Sequence, residues 1–488
     1  MKKEQIVDMI GEAPDNYVKD AKEYKKKRRI PFPQWSKWMG GIAAVLALVI
    51  LVNNIPTIPL VISAKAVSVA SESRKTERPK RKNGGDPDEW RSQMDLWYAE
   101  RDARDVLVEA ASPSIADFAG LVSGEVLSGV DDINRVWSPV NAYIALAMTA
   151  ELTGSETQAQ VLDVLGADDA AELRRQISAV WEEIYENNGK EISVLANSLW
   201  LDKDVEYVQE KMDSIAYDYY ASVYQGDLGS EKTNRAMTNW MRNQTGGMLK
   251  DRSGNVQIDP EDQVLAIAST IYFQSKWVDE FDKADNTQAI FHAVSGDVEA
   301  TFMNKEEYEM NYNWGEDYGA VQIFLENGSF MWFILPDEGK TVDDVLASDE
   351  YMKMITEVYS SKDEERNSKR MKVNLSVPQF DVSAGVNLKE SLRNIGLSEL
   401  FDPAGCDFSP SILPSDDFSL NPYVASIHQD TRVKIDEQGV TAASYIEIIG
   451  AGAAEPPDEI IDFVLDRPFV FAVTKSDIPL FVGTVNKP

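Results

Sequence analysis

The chain has 488 residues and a mass of 54.5 kDa, with 43% hydrophobic, 9% aromatic and 26% charged residues. This composition excludes wholesale disorder and fibrous repeats, and it allows a sizeable hydrophobic core. Its 48 Lys and Arg residues against 81 Asp and Glu residues give a net charge of −33, and so negative a surface repels phosphate backbones. We therefore exclude nucleic acid as a partner.

The sequence offers little material for metal or nucleophilic catalysis. Its one cysteine, Cys406, can form neither an internal disulfide nor a thiolate cluster. Only His292 and His428 could serve a Ser-His-Asp or Cys-His arrangement, and no partner motif accompanies His428, so a structural role is expected for it. Motifs for a nucleophile elbow, a phosphate loop or a zinc protease do not occur. The sequence therefore predicts no cofactor, no metal site and no enzymatic activity.

The first 64 residues have the pattern of a membrane segment. Residues 1–38 carry a net charge of +4, whereas residues 39–64 carry no charge at all. A helix from about 36 to 55 would cross a hydrocarbon slab of ~30 Å. The basic residues precede the apolar span, so the positive-inside rule places the N-terminus in the cytoplasm. We predict a cytoplasmic segment (1–38), a transmembrane anchor (39–64) and an external remainder.

A cleaved signal segment is the alternative. The sequence Ala64-Lys65-Ala66 has the form of a cleavage site, and cutting there would yield a secreted protein. In either case residues 65–104 are predicted to be an extracellular linker, with a flexible tether from 67 to about 90 because Ser, Lys, Arg, Pro and Gly are frequent. Residues 105–488 form the predicted globular domain, and residues 84–488 carry a net charge of −42.

Several elements of the globular part are predicted from local pattern. Ser112-Pro113 indicates the start of a helix through Ser128, and Ser138-Pro139 that of a longer helix ending at Gly154. Two more helices are predicted over 155–166 and 170–185. Strands are predicted at 192–201, 264–273, 320–325, 330–335, 371–377 and 469–474, because these runs are β-branched or aromatic. Helices lead and strands dominate later, which favours an α+β fold over alternating βαβ units.

Motifs in a characteristic order resemble the serpin family of serine protease inhibitors. They occupy residues 134–139, 238–248, 268–277 with Phe281, 333–336, 375–380, 392–401, 466–471 and 479–488. The resemblance spans about residues 110–488, and the chain resembles membrane-tethered or secreted bacterial serpins. It implies a large central, mostly antiparallel sheet A, two further sheets, eight or nine helices and an exposed reactive-centre loop.

Residues 433–457 are similar to the serpin hinge and reactive-centre loop. In that family a target protease cleaves the loop, and the freed strand inserts into the central sheet. The resemblance implies a hinge made of Glu437, Gly439, Val440, Thr441, Ala442, Ala443 and Ser444. At period 2, Val440, Ala442, Ser444, Ile446 and Ile448 share one face, and all are small or apolar. Glu447 falls on the other face, so insertion need not bury its charge.

The scissile bond is counted from the hinge in the family manner. Fourteen residues after Gly439 is Ala453, followed by Ala454, whereas counting back from Pro468 gives Ala454 followed by Glu455. The two counts differ by one residue, so the scissile bond is expected either between Ala453 and Ala454 or between Ala454 and Glu455. Because alanine suits a shallow primary pocket and offers nothing to a buried carboxylate, an elastase-like serine protease is the expected covalent target.

The sheet-opening region departs from the family pattern. The resemblance assigns Ser138, Ser269, Trp277 and Ser376 to it, with Ser269 in place of a common asparagine and Ser376 in place of a common histidine. Val440 is stiffer than the usual threonine, and Tyr445 is large for its position. An alternative function is therefore a non-inhibitory serpin acting as a binding or structural surface protein. A monomer is expected in either case.

Overall fold

The computed structural model describes residues 64–81, 86–129, 131–245, 265–357, 367–413, 422–440 and 459–488. The helices in these ranges are α1 (Pro87–Leu127), α2 (Pro139–Leu152), α3 (Ser155–Val164), α4 (Ala170–Ile184), α5 (Gln209–Asp218), α6 (Glu231–Gln244), α7 (Val342–Leu346), α8 (Glu350–Thr356) and α9 (Lys389–Asn394). The strands are β1 (Lys65–Ser68), β2 (Arg135–Trp137), β3 (Glu186–Asn187), β4 (Ile192–Asp202), β5 (Ala221–Gly226), β6 (Leu265–Lys276), β7 (Thr287–Ala293), β8 (Gly296–Trp314), β9 (Tyr318–Phe324), β10 (Phe330–Pro336), β11 (Ser368–Pro378), β12 (Phe380–Asn387), β13 (Val424–Asp436), β14 (Gly439–Val440), β15 (Ile460–Val464), β16 (Phe469–Lys475) and β17 (Ile478–Val485).

Eight of the strands form a mixed sheet, called the central sheet below. Its strand order is β1-β5-β4-β6-β14-β13-β12, with β3 paired to β4. β4 runs antiparallel to β6, β6 parallel to β13, and β13 antiparallel to β12. The two-residue strand β14 lies between β6 and β13 and is antiparallel to both. Strand β14 therefore marks the boundary between one half of the sheet, which ends at β6, and the other half, which begins at β13.

The remaining strands form a nine-stranded network in the order β15-β11-β8-β9-β10-β16-β17-β2, with β7 paired to β8. The 19-residue strand β8 pairs with β7 near its start, with β11 along most of its length and with β9 at its end. The two further sheets that the sequence predicts are thus joined through β8. The predicted α+β architecture around a large central sheet is confirmed.

Two hydrophobic layers cover the central sheet. The main core lies on one face and includes every apolar side chain of α2, which is buried along its whole length. A smaller cluster lies on the other face, where Trp240 and Met237 of α6 pack against Trp200 of β4 and Ala268 of β6. Side chains alternate between faces along a strand, so each strand of this sheet must satisfy two environments.

The local predictions for helices α2, α3 and α4 and for six strands are confirmed, but the prediction for the first helix is wrong at its start. Helix α1 begins at Pro87, with the Asp86 carboxylate accepting a hydrogen bond from Asp88 N, and it runs through Pro113. Pro113 was a plausible first-turn residue, since proline is tolerated there. The 41-residue helix continues across it because Val108, Ala111 and later apolar residues pack into the core.

The predicted tether over 67 to about 90 and linker over 65–104 differ from the structure. Residues 64–81, called the N-terminal strap, lie against the body, and β1 extends the central sheet by pairing with β5. Further along, Trp97 Nε1 donates to Thr76 O at 3.2 Å and Trp90 Nε1 to Pro79 O at 3.3 Å, so the strap also follows α1. The strap is held to the body because its backbone pairs with β5 and because two indole N–H groups donate to it. Composition does not reveal such contacts, so it predicted a flexible tether.

A buried carboxylate fixes the centre of the strap. Glu182 of α4 accepts hydrogen bonds from Ser73 Oγ (2.5 Å), Arg74 N (2.6 Å), Lys75 N (3.2 Å) and the Tyr220 hydroxyl (2.5 Å). Its side chain is only 9% exposed. Hydrogen bonds to an ionised acceptor in such a site are stronger than neutral ones. The strap is therefore held at both its sheet edge and its middle.

The predicted membrane segment, residues 39–64, lies outside the described residues except for Ala64. Within the described ranges, α1 is long and apolar enough to span a membrane by length and composition, but half of its most apolar window is buried inside the body. That burial is typical of a core helix. The assignments of residues 1–38 and 39–64 stay predictions.

Candidate functional site

The predicted hinge begins in the middle of the central sheet. Gly439 pairs with Lys276 of β6 and with Asp436 of β13, and Val440 pairs with Ser275 and Ile435. Gly439 has φ of +146°, and a Cβ there would lie 2.4 Å from Ser275 O. Any other residue would need a different backbone, which explains why glycine starts this strand.

Glu437 closes the turn before the hinge strand. Its carboxylate accepts hydrogen bonds from Asn286 Nδ2 (2.5 Å) and Gln379 Nε2 (2.7 Å), and Lys283 Nζ lies 3.8 Å away. Burial by itself would raise the pKa of the Glu437 carboxyl, but the hydrogen bonds from its own backbone N–H, from Asn286 and from Gln379, together with the Lys283 charge, lower that pKa. An ionised Glu437 therefore fixes where the hinge leaves β13.

Trp277 holds the same turn from the other side. Its indole Nε1 donates to Asp436 O at 2.9 Å, and its backbone N–H donates to Gln438 O at 3.1 Å. The Phe281 N–H donates to Glu437 O at 3.0 Å, and the two rings meet edge to face with centroids 5.9 Å apart. The structure thus places Trp277 at the hinge end of the central sheet.

The boundary between β6 and β13, called the seam below, differs at its two ends. The strands pair directly from Leu265–Val424 to Thr270–Asp430. Strand β14 separates them at Ser275 and Lys276. Among the described residues, positions 271–274 of β6 have no partner strand on the β13 side. In the part of the chain that the structure describes, β6 and β13 are thus separated by β14 at the hinge and pair directly from Thr270 to Leu265.

Five buried polar residues lie along the part of the seam where β6 and β13 pair directly. Gln429 accepts a hydrogen bond from Ser138 N (2.6 Å) and donates one to Ser138 O (3.0 Å). Gln429 pairs across the seam with Ser269, which pairs with Asn197, whose side chain donates to Asn141 Oδ1 at 2.9 Å. All five residues are at most 1% exposed. The structure brings the predicted residues Ser138 and Ser269 together here.

The prediction that Ser376 belongs to this region is wrong. Ser376 lies on β11, which belongs to the nine-stranded network, and its hydroxyl donates to Asn304 Oδ1 of β8 at 2.7 Å. The motif around it fits a strand but does not specify which sheet the strand joins. Gln429 occupies the place across the seam that was expected for Ser376.

Sequence reasoning missed Gln429, although a signal for it exists. Counting back at period 2 from the buried Ile435 passes through Val433 and Thr431 to Gln429, all at 1% exposure and all facing the main core. His428, one residue away, faces the α6 side opposite Ala268. Burial lowers the pKa of His428 and favours its neutral form.

A second buried titratable group borders the seam on the α6 side. Asp430 pairs with Thr270 of β6 and with Gly385 of β12, and it is 8% exposed. Burial raises the pKa of Asp430 to about 6, against the opposing charge of Arg242 on α6. A carboxyl at the seam is thus poorly solvated when ionised.

The rest of the predicted loop lies outside the described residues. Thr441, Ala442, Ala443 and Ser444 of the hinge lie outside the described residues, as do both candidate scissile bonds at Ala453, Ala454 and Glu455. The described chain resumes at Glu459 and enters β15, which pairs with β11. Within the described residues, no group of three or more His, Cys, Asp or Glu is placed to hold a metal ion.

Comparison with known proteins agrees with this geometry. The family model described as Serpin (serine protease inhibitor) matches residues 113–488. Plasminogen activator inhibitor 1 of Neovison vison is 26% identical over 406 residues, covering 80% of this chain and 97% of that relative. The thermophilic serpin tengpin, in its native state, has a TM-score of 0.66 at 27% identity, covering 77% of this chain and 93% of that structure. Human thyroxine-binding globulin gives the same TM-score at 20% identity, which shows the fold alone, over 78% of this chain and 99% of that structure. A family model that matches most of the chain, together with a glycine hinge placed between two strands of the central sheet, shows that the protein belongs to the serpin family.

Proposed function

We propose that this protein is a suicide-type inhibitor of extracellular elastase-like serine proteases. In this mechanism the protease cleaves the reactive-centre loop, and the loop inserts between β6 and β13 before the acyl-enzyme is hydrolysed. The observation that carries the proposal is the position of Gly439 and Val440 between those two strands. Insertion then needs only to extend a strand that has already started.

The side-chain pattern of the loop suits that extension. Val440 is 2% exposed and belongs to the main core, so its register defines which later residues would face inward. These are Ala442, Ser444, Ile446 and Ile448, which are small or apolar, whereas Tyr445 and Glu447 would face the α6 side. Small residues in the first part favour fast insertion.

The energy for trapping would come from completing the sheet. Each new backbone hydrogen bond contributes about 0.5–1.5 kcal/mol, and burying an isoleucine such as Ile446 or Ile448 contributes about 1.5–3 kcal/mol. Ordering the loop offsets part of this gain. A cleaved and inserted molecule should therefore be much more stable than the intact one.

The counted scissile residue supports the target class. Ala453, or Ala454 by the other count, presents a methyl group to the primary pocket of the protease. A shallow elastase-like pocket accepts it, whereas a pocket with a buried carboxylate requires Arg or Lys. Arginine at the residue before the scissile bond should therefore transfer inhibition toward trypsin-like proteases. An unchanged preference with arginine at either position would show that the loop is misaligned.

We also propose that the inhibitor domain is extracellular and held by the uncharged segment 39–64. The basic run before this segment supports a cytoplasmic N-terminus. The intact protein should sediment with membranes, and external protease should release the acidic part. Recovery in the cytosol would contradict this proposal, and a soluble form starting at Val67 would favour signal cleavage.

The decisive experiment is an equimolar reaction of the protein with an elastase. We expect a covalent complex that survives a denaturing gel and a large rise in unfolding temperature after loop cleavage. Cleavage without a stable complex and without thermal gain would refute inhibition by insertion and leave the non-inhibitory serpin. Such a protein would use the fold as a binding surface.

Ala442→Arg tests the insertion step in particular. Val440 is already buried in the intact protein, so Ala442 is the first inward-facing position of the expected register beyond the strand that has started. Insertion of the variant would place an unpaired guanidinium in the main core, which is strongly unfavourable. It should convert the inhibitor into a substrate that elastase cleaves without trapping. Ala442→Ser is the matched control, because its side chain stays small and should keep the covalent complex.

A further inference from the structure

Glu191 is a buried carboxyl group whose oxygens have no hydrogen-bond donor. It lies in the turn between β3 and β4, where its backbone N–H donates to Asn188 Oδ1 at 2.9 Å. The residue is 8% exposed, and among the described residues neither side-chain oxygen has a partner in hydrogen-bonding geometry. Burial of an ionised carboxylate without donors or a counter-charge is strongly unfavourable. Glu191 therefore needs a proton or a cation as its partner.

The turn places Glu191 beside the end of β6, close to the hinge. Ile192 pairs with Gln274, so the same register brings Glu191 opposite Ser275. On its other side Ser275 pairs with Val440 of the hinge strand. Residues paired across neighbouring strands have their side chains on the same face, and Val440 belongs to the main core. Ser275 and Glu191 therefore lie on the core face of the central sheet, in one row with the hinge.

A second carboxylate reaches the same place from the turn between β9 and β10. Glu326 N donates to Lys276 O at 2.9 Å. Asn327 N donates to Ser275 Oγ at 3.3 Å, so this turn lies across the end of β6. Burial raises the pKa of the Glu191 carboxyl, and the Glu326 charge beside it raises this pKa further, against the opposite effect of the Ser275 hydroxyl. Two carboxyl groups therefore lie close together next to the hinge.

Neutral oxygen atoms accompany the two carboxyl groups. The Ser275 hydroxyl lies beside Glu191, and Asn327 Oδ1 accepts from Ser329 N at 3.1 Å and keeps a second lone pair. Ser193, two residues along β4 from Glu191, is fully buried, and in the described part of the chain its hydroxyl also has no partner. Carboxylate, hydroxyl and amide oxygens are the ligands of hard cations. Ca²⁺ accepts about six to eight of them in irregular geometry and often takes both oxygens of one glutamate.

We propose that Glu191 and Glu326 bind one Ca²⁺ ion, with the Ser275 hydroxyl and the Asn327 amide oxygen as further ligands and water completing the set. The ion cancels the repulsion between the two carboxylates. It joins the β3–β4 turn, the end of β6 and the β9–β10 turn beside the hinge. Sequence reasoning did not anticipate such a site, because it considered histidine and cysteine as metal ligands. The site depends on the fold alone and not on the proposed inhibition.

The test measures calcium binding by the full chain in a non-ionic detergent, after bound metal has been removed with a chelator. Isothermal titration with CaCl₂ in about 150 mM NaCl counts the saturable sites, since salt screens the diffuse attraction of Ca²⁺ to the acidic surface. Glu191→Gln and Glu326→Gln each remove one carboxylate from the site. Glu109→Gln, on the exposed side of α1, is the matched control, because it removes the same charge elsewhere.

We expect one site in the parent chain, with a dissociation constant of about 0.1 mM. Binding should be at least tenfold weaker in both site variants and unchanged in the control. Mg²⁺ should also bind at least tenfold more weakly than Ca²⁺, because it demands a near-ideal octahedral set of ligands. Equal affinity for the two ions would overturn the assignment to calcium.

The unfolding temperature gives a second readout. Without calcium, Glu191→Gln should unfold at or above the temperature of the parent, because one of two repelling charges is gone. With about 5 mM CaCl₂ the parent should gain at least about 3 °C, whereas Glu191→Gln should gain less than about 1 °C. If Glu191→Gln has no cooperative unfolding transition, Glu326→Gln decides by the same criterion.

A parent chain without a saturable calcium site would overturn the proposal, and so would site variants that bind calcium as the control does. A proton shared between the two carboxyl groups would then be the partner of Glu191. None of these outcomes bears on elastase inhibition, which the covalent-complex reaction tests separately.

Discussion

Replacing Gln429 by methionine removes the amide that joins the seam to the start of α2 while keeping a side chain of similar length. The parent amide accepts from Ser138 N at 2.6 Å and donates to Ser138 O at 3.0 Å, and both residues are at most 1% exposed. Ser138 O also accepts from Ala142 N at 3.1 Å, so the carbonyl keeps one bond in the variant. The Ser138 N–H loses its acceptor.

The expected loss of stability follows from the unpaired Ser138 N–H. A buried donor left without a partner costs about 1–3 kcal/mol, so we expect a loss of about 2 kcal/mol of native stability. If the same bond breaks when the seam opens, the barrier to spontaneous loop insertion falls by a comparable amount. A decrease of about 2 kcal/mol corresponds to a ~30-fold faster conversion.

Two measurements check this reasoning. The first is the unfolding temperature, and the second is the rate at which uncleaved protein loses elastase inhibition on incubation at 37 °C. Gln93→Met on the exposed part of α1 is the control and should change stability by less than about 0.5 kcal/mol. A Gln429→Met protein with the parent's unfolding temperature and a rate within threefold of the parent would refute the role assigned to the amide.

Three further predictions concern buried carboxyls. The pKa of Asp430 is raised to about 6, so the parent protein loses stability as the pH rises from about 4 to 6. Asp430→Asn removes this titration and should raise the free energy of unfolding at pH 8 by about 3 kcal/mol. Equal dependence of stability on pH in both proteins would contradict this. The pKa of the Glu437 carboxyl is lowered, so its contribution to stability is fully present above its ordinary value of 4.5 and is lost as the pH falls through the lowered pKa. Glu437→Gln should therefore lower the unfolding temperature at pH 7, and the difference from the parent should shrink as the pH falls below 4.5. Glu182→Met should free the strap and speed tryptic cleavage after Arg74 and Lys75, whereas Glu172→Gln on the exposed side of α4 should leave cleavage unchanged.

The hinge and its neighbours show how much could be read from sequence. Local signals specified α2, since Ser138-Pro139 begins it and Gly154 follows its end. The glycine hinge and the inward-facing Val440 followed from period-2 alternation together with the family resemblance. These features depend on residues close in the chain, where backbone preferences and side-chain spacing act directly.

The tertiary structure decided which polar groups meet at the seam and where the N-terminal strap lies. Gln429 and Ser138 are 291 positions apart, and Glu182 meets Arg74 across 108 positions. Ser376 joined a different sheet from the one expected, because a strand pattern specifies a strand but not its neighbours. Composition by itself determined that the chain is acidic and can bury a core, and local pattern determined most helices and strands. Which polar groups meet was settled only by folding, since a buried donor or acceptor must find whichever partner the packed strands bring to it.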